Sequence, residues 1–138
     1  MLIVLDTNVL VSGMLVAEHA PGRLLDLLRT GKARLAVDDR ILAEYEDVLR
    51  RPYLRRYFTV EERQRVMAFI HSDALPILCT ARIEDLPDPK DAAFIETALA
   101  AEVPLVTGNL KHFPAQSRRG VRVITPAQCL DDFHRHQA

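Results

Sequence analysis

"LIVLDTNVLVSG" (Leu2–Gly13) runs four apolar residues into one acid and then turns apolar again. An unbroken apolar run of this length at the start of a chain predicts a strand buried on both faces, in the middle of a sheet. It ends on Asp6, followed by Thr7 and Asn8. A carboxylate beside a buried strand is costly unless something pairs with it or coordinates it. The ordinary role for a lone strand-end Asp is to cap the next helix. Thr7 and Asn8 could do that equally well, so the purpose of Asp6 is the first question the sequence raises.

Outward from this strand, similar runs recur at Leu35–Val37, Leu75–Leu78, Leu105–Thr107 and Val121–Ile124. Helical patterns with readable ends separate them. "PGRLLDLLRTG" has Pro21 in its first turn and stops at Gly31. "DDRILAEYEDVLRRP" places Ile41, Leu42, Tyr45, Val48 and Leu49 on one stripe and ends before Pro52. "TVEERQRVMAFIH" opens with Thr59 and Glu62 at capping-box spacing, and "TPAQCLDDFHR" has Thr125 as its cap. Strands alternating with helices predict an α/β fold with a parallel sheet and right-handed crossovers. Pro76 removes a ladder donor, so the third strand is expected at an edge. No repeat, low-complexity tract or linker divides the chain, and residues 1–138 are expected to form a single domain.

Composition narrows the function classes. The chain has 138 residues, 49% hydrophobic and 27% charged, which is globular rather than disordered. No apolar run approaches a bilayer span, and no charged segment opens a cleavable signal. Cys79 and Cys129 form no CxxC pair and read as two small buried hydrophobes of a cytoplasmic protein. The histidines show no zinc-ligand spacing. The net charge of −1 does not mark the whole chain as a nucleic-acid binder. One segment differs: Arg50 to Arg65 holds six arginines interleaved with Tyr53, Tyr57 and Phe58. Arginines beside aromatics suit phosphate and base contacts, and equally form an ordinary solvated helix face. Arg50, Arg51, Tyr53, Arg55, Arg56 and Tyr57 are the candidates for RNA or partner contact.

In parallel α/β sheets, ligands bind beyond the carboxyl ends of the strands. Asp6 stands at one such end and Thr107, followed by Gly108 and Asn109, at another. In "DPKDAAFIETALAAE", Asp88 reads as the N-cap, Pro89 as the first helical residue and Asp91 as the third. Helical projection puts Asp91 in line with Phe94, Ile95, Ala98 and Leu99, facing the sheet. A first-turn acid also complements the helix dipole, which is the plainer account of it. Glu44 and Glu46 flank the apolar stripe of their helix on opposite sides, and periodicity does not choose between them. If such acids converge, their repulsion requires a cation or raised pKa values. Oxygen donors without His or Cys select Mg²⁺ or Mn²⁺, and that chemistry serves phosphate esters and phosphodiesters.

Four segments, "LDTNVLVSG", "AEYEDVL", "DPKDAAFIETALAAEVPLVTGNLKHF" and "VRVITPAQCL", together resemble a PIN domain, in particular the VapC-like toxins of bacterial toxin–antitoxin pairs. The resemblance runs nearly end to end. It implies a three-layer α/β/α sandwich with a five-stranded parallel sheet, order 3-2-1-4-5, and a Mg²⁺- or Mn²⁺-dependent ribonuclease. It matches Asp6, Glu44 and Asp91 to the family's catalytic, metal-ligating acids, which prefers Glu44 to Glu46 and leaves Asp88 as a cap. Thr7, Asn8 and Thr107 stand beside them as supporting groups. The family pattern after the fourth strand usually carries a further acid, where this chain has Asn109 and then His112. Asn109 is expected to lend a neutral oxygen to the metal. The expected partners are an RNA substrate, a cognate antitoxin and a second copy of the chain, with no membrane.

Three other readings compete. "VLDTNVL" and "PLVTGN" resemble motifs of haloacid dehalogenase-type phosphatases, but Asn8 stands where that family has its second Asp. A receiver-type signalling domain needs an acid after the third strand, and "PILCTA" has none. A PIN-like module that binds RNA or protein without cutting accommodates the missing fourth acid.

Overall fold

The computed structural model describes residues 1–137. Five strands, β1 (Leu2–Leu5), β2 (Arg34–Val37), β3 (Leu75–Pro76), β4 (Leu105–Val106) and β5 (Val123–Ile124), form one sheet in the order β3-β2-β1-β4-β5. All pairings are parallel, with Ile3 opposite Leu35, Val4 opposite Leu105, Ala36 opposite Leu75 and Val106 opposite Ile124. β1 is central, and the side chains of Ile3, Val4 and Leu5 are fully buried. β3 is an edge strand, as its proline requires.

Six helices cover the sheet: α1 (Thr7–Leu15), α2 (Ala20–Arg29), α3 (Asp39–Leu49), α4 (Val60–Asp73), α5 (Ala92–Ala101) and α6 (Pro126–Gln137). The chain steps outward from β1 to β3, then returns across the sheet through α5 to β4. Right-handed crossovers therefore place α5 on the face opposite α1, α2 and α4, giving three layers. α5 packs on β1, β2 and β4, while α2 packs on α1 and α6. The corner between α1 and α2 needs glycine: a Cβ on Gly22 would sit 2.4 Å from the carbonyl oxygen of Ala17. Among the described residues no helix is long and apolar enough to cross a membrane.

Three details correct the sequence reading. α1, which follows Asp6 directly, was not among the expected helices. The expected single helix from Pro89 is divided, because Pro89–Asp91 form a 3₁₀ turn and α5 begins at Ala92. The outer strands are also shorter than their apolar runs. Leu78 is 87% exposed and outside β3, and β5 starts at Val123 rather than Val121.

Candidate active site at the carboxyl edge of the sheet

Asp6 extends β1 by one residue, donating its backbone N–H to the Val106 carbonyl at 2.9 Å. Thr107 does the same for β4, donating to the Ile124 carbonyl at 2.9 Å. The two strand tips are thus held in fixed register. The Thr107 hydroxyl donates to Asp6 Oδ2 at 2.7 Å, between side chains that are both buried. Asp6 occupies the cap position of α1, but its carboxylate makes no capping hydrogen bond. Capping does not account for Asp6.

Glu44 is brought in by its neighbour. The fully buried Tyr45 donates its hydroxyl to the Leu5 carbonyl, pinning α3 to the end of β1. That turns Glu44 toward α1, where Thr7 Oγ1 donates to Glu44 Oε2. Glu46 faces away and pairs with Arg50 at 3.2 Å on the exposed side. The tie left open by periodicity is resolved by one tyrosine.

Asp91 stands at the start of α5, also without a capping hydrogen bond from its side chain. Its Oδ2 is buried and has no hydrogen-bond partner among the described residues. His112 Nδ1 lies 3.2 Å from that oxygen, close enough for charge attraction but not aligned as a hydrogen bond. Asp88 is the cap instead, accepting the Lys90 N–H at 3.0 Å.

Electrostatics joins the three acids. Burial pushes the Asp91 carboxyl up to about 6, with the charges of Asp6, Asp88 and Glu44 adding and His112 opposing. Burial also raises Asp6, opposed by its hydrogen bond from Thr107. The Tyr45 hydroxyl is raised well above its ordinary range by burial, and the charges of Asp6 and Glu44 add to the shift.

Among the described residues no group of three or more His, Cys, Asp or Glu side chains is placed to hold a metal ion. The donor set nevertheless fits a hard divalent ion in its chemistry. Its donors are carboxylate oxygens, burial raises the pKa of two of the acids, and among the described residues one buried oxygen lacks a hydrogen-bond partner.

The supporting residues divide. Asn8 Oδ1 accepts the Gly108 N–H at 3.4 Å, tying the start of α1 to the loop after β4. Asn109 donates its backbone N–H to Thr107 Oγ1 at 3.0 Å. Among the described residues its side-chain amide is hydrogen-bonded to none of the three acids. In the arginine-rich segment, Tyr53 and Tyr57 are 59% and 56% exposed, and Arg55 and Arg56 are exposed. Arg50 and Arg51 face Glu46 and Asp47, and Phe58 belongs to the core rather than the surface.

One polar cluster was missed by the sequence reading. Glu96 of α5 is 2% exposed, accepting from Arg40 Nη1 at 2.8 Å and from the Ile83 N–H at 2.9 Å. The signal was present: a single acid inside the otherwise apolar "AAFIETALAA".

A separate concavity lies away from these acids. It is a groove of about 530 Å³ between α1, α2 and α4, lined by Leu10, Met14, Leu25, Val66 and Phe69, with Arg29 and Arg65 among its polar residues.

A family model described as PIN domain matches residues 2–111. The uncharacterized protein MJ1680 of Methanocaldococcus jannaschii is 24% identical over 142 aligned positions, covering 96% of this chain and 92% of its own. Solved structures share the fold. VapBC2 from Rickettsia felis, bound to a DNA fragment from their promoter, matches with TM-score 0.61 and 19% identity, over 91% of this chain and 98% of that one. FitAcB from Neisseria gonorrhoeae matches with TM-score 0.58 and 18% identity, over 92% and 99% of the two chains. With most of its length matched by the family model and with the family's strand order, the chain belongs to the PIN-domain family of nucleases.

Proposed function

We propose that this chain is a Mg²⁺- or Mn²⁺-dependent endoribonuclease, the toxin of a type II toxin–antitoxin pair, acting in the cytoplasm as a single PIN domain. The observation that carries this reading is that Asp6, Glu44 and Asp91 stand at one edge of the sheet, near enough for the charges of Asp6 and Glu44 to act on Asp91. Such a group is unstable as three bare anions and well suited to a cation. Asp6, Glu44 and Asp91 would hold the ion, which when bound supplies an acidified attacking water and neutralises charge on the phosphodiester.

The chain's own groups do the orienting. Thr107 fixes the Asp6 carboxylate and Thr7 fixes Glu44, so each presents its remaining oxygen in a set direction. Asn8 holds the Gly108 loop against α1 beside them. The exposed Tyr53, Arg55, Arg56 and Tyr57 offer the stacking surfaces and positive charge that RNA needs. A cognate antitoxin is the proposed protein partner, since the similar VapBC2 structure is bound to a DNA fragment from their promoter. The apolar groove between α1, α2 and α4 suits its docking segment, and a second copy of the chain is the remaining proposed partner.

Cleavage of varied single-stranded RNAs with Mn²⁺ tests the reading. Asp6→Asn should lower turnover by about 10²–10⁴-fold, the range ordinary for losing one positioned catalytic group, with an unchanged circular dichroism spectrum. If Asp6→Asn cuts as fast as the parent, the mechanism is wrong. The replacement of the family's fourth acid by Asn109 and His112 favours a second reading, a module that binds without cutting. Equal inactivity of parent and variant would establish it.

A further inference from the structure

Between the end of α3 and the start of α4 the chain turns through Pro52–Phe58, where buried anchors alternate with exposed groups. Leu54 and Phe58 join the core, while Tyr53, Arg55, Arg56 and Tyr57 are exposed. Beside the turn lies a cavity of about 270 Å³, with Leu49, Leu54 and Phe58 as its apolar floor and Arg55 and Arg63 among its polar residues. We propose that this cavity and the two tyrosines form a subsite for unpaired nucleotides, taking bases on the apolar and aromatic surfaces and phosphate on Arg55 and Arg63. The inference rests on the RNA reading above. It adds a site apart from the acids that selects single strands over duplexes.

Three observations carry it. The first is the state of the arginines. Arg50 and Arg51 lie against Glu46 and Asp47. Among the described residues Arg55 and Arg63 take part in no ion pair. From Arg50 to Arg65 six arginines stand against two acids, and one of these, Glu62, is engaged in the capping box of α4. The surplus charge is positive, and guanidinium groups in this state suit phosphate.

The second is the tyrosines. The chain has three. Tyr45 is fully buried, and the other two stand more than half exposed on this one turn. An exposed ring offers a face to a base, and such stacking tolerates any base sequence but needs the base unpaired.

The third is rigidity. The backbone N–H groups of Leu54, Arg55 and Tyr57 donate to the carbonyls of Arg51, Pro52 and Leu54 at 3.0, 3.1 and 2.9 Å. With two side chains anchored as well, the turn is set before a ligand arrives, and binding orders little.

The size of the cavity favours a nucleotide over a protein segment. At about 270 Å³ it falls just below small-ligand pockets of roughly 300–1,000 Å³, with room for one ring system. An acidic peptide would use the arginines and leave the tyrosine faces and the apolar floor idle. Leu49 of that floor follows Glu44 by five residues of α3, roughly 7.5 Å along the helix axis. Nucleotides held here therefore flank the cut rather than undergo it.

Fluorescence anisotropy of a labelled oligouridylate, in chelator so that nothing is cut, reads binding alone. Tyr53→Ala with Tyr57→Ala should raise the dissociation constant about tenfold or more and leave its salt dependence unchanged. Arg55→Gln with Arg63→Gln should flatten the slope of log affinity against log salt by about 1.4. A duplex RNA should bind the parent and the tyrosine variant equally. Unchanged oligouridylate affinity in the tyrosine variant, an unchanged slope in the arginine variant, or an equal loss on duplex overturns the subsite. So does polyglutamate that displaces the RNA and itself binds more weakly to the tyrosine variant, which would assign the surface to an acidic peptide. Cleavage assays with Mn²⁺ separate this from failure of the underlying reading. If the parent binds as stated yet cuts no RNA, the ribonuclease reading falls and the subsite stands. If the parent cuts RNA and the tyrosine variant binds unchanged, only the subsite falls.

Discussion

Burial and the charge of Asp6 hold the Asp91 carboxyl at about 6, against an ordinary value of 3.8. A folded-state pKa above the unfolded one means that the folded chain binds the proton more readily. Its contribution to stability is complete below about pH 4 and is lost as the pH rises through about 6. Asp6 is shifted in the same direction by its own burial. In chelator, therefore, the parent should gain in melting temperature relative to Asp91→Asn as the pH is lowered from 7.5 to 5. At pH 7.5 the variant should melt higher than the parent. Thermal melts across that range check both points, and parallel pH profiles would refute the assignment. The same residues show what one side chain's sequence context reveals. Asp6 was legible because it ends an apolar run, and Asp91 because helical spacing turns it toward the sheet. Glu44 was not separable from Glu46 by period alone, since both flank the stripe. The Tyr45 hydroxyl that decides between them bonds a carbonyl forty residues away in sequence.

Helices with chemical punctuation were readable at the scale of elements. The Thr59–Glu62 capping box is present in both directions, with the Glu62 N–H donating to Thr59 Oγ1 at 3.0 Å and the Thr59 N–H to Glu62 Oε1 at 3.2 Å. α1 lacked such marks: "TNVLVSGML" is apolar nearly all round and starts directly after a strand, so it shows neither stripe nor linker. Links between elements were the least legible, and the Arg40–Glu96 pair between the first turn of α3 and the middle of α5 is the clearest case. These two helices carry Glu44 and Asp91, so the pair also braces the site. Arg40→Met would leave the buried Glu96 with the Ile83 N–H and the more distant Arg82, 3.6 Å away. Losing a charged partner from a buried carboxylate, partly compensated in this way, should destabilise the fold by about 1–3 kcal/mol. Urea unfolding reads this directly, and a change below a few tenths of a kcal/mol would mean that solvent already satisfies Glu96.

For the molecule as a whole, the alternation of apolar runs and helices determines a parallel sheet, and its return crossover brings the tips of β1 and β4 side by side. The strand order itself came from family resemblance rather than from periodicity, because no local pattern says which strands are neighbours. The groove between α1, α2 and α4 was invisible for a related reason: it arises where three helices pack, and no single stretch encodes it. The central claim is that Asp6, Glu44 and Asp91 form one electrostatic unit completed by a divalent ion. Such a unit is strained by its own repulsion, and relieving one charge should not weaken the fold. An ion that binds only the folded chain adds about 2.7 kcal/mol at one hundred times its dissociation constant. The most direct measurement is thermal melting of parent and Asp6→Asn at pH 7.5, in chelator and then in saturating Mn²⁺. The account predicts that Mn²⁺ raises the parent by several degrees, and that Asp6→Asn melts at or above the parent in chelator and gains nothing from Mn²⁺. Equal Mn²⁺ shifts in the two proteins, or an Asp6→Asn variant that melts well below the parent in chelator, would contradict it.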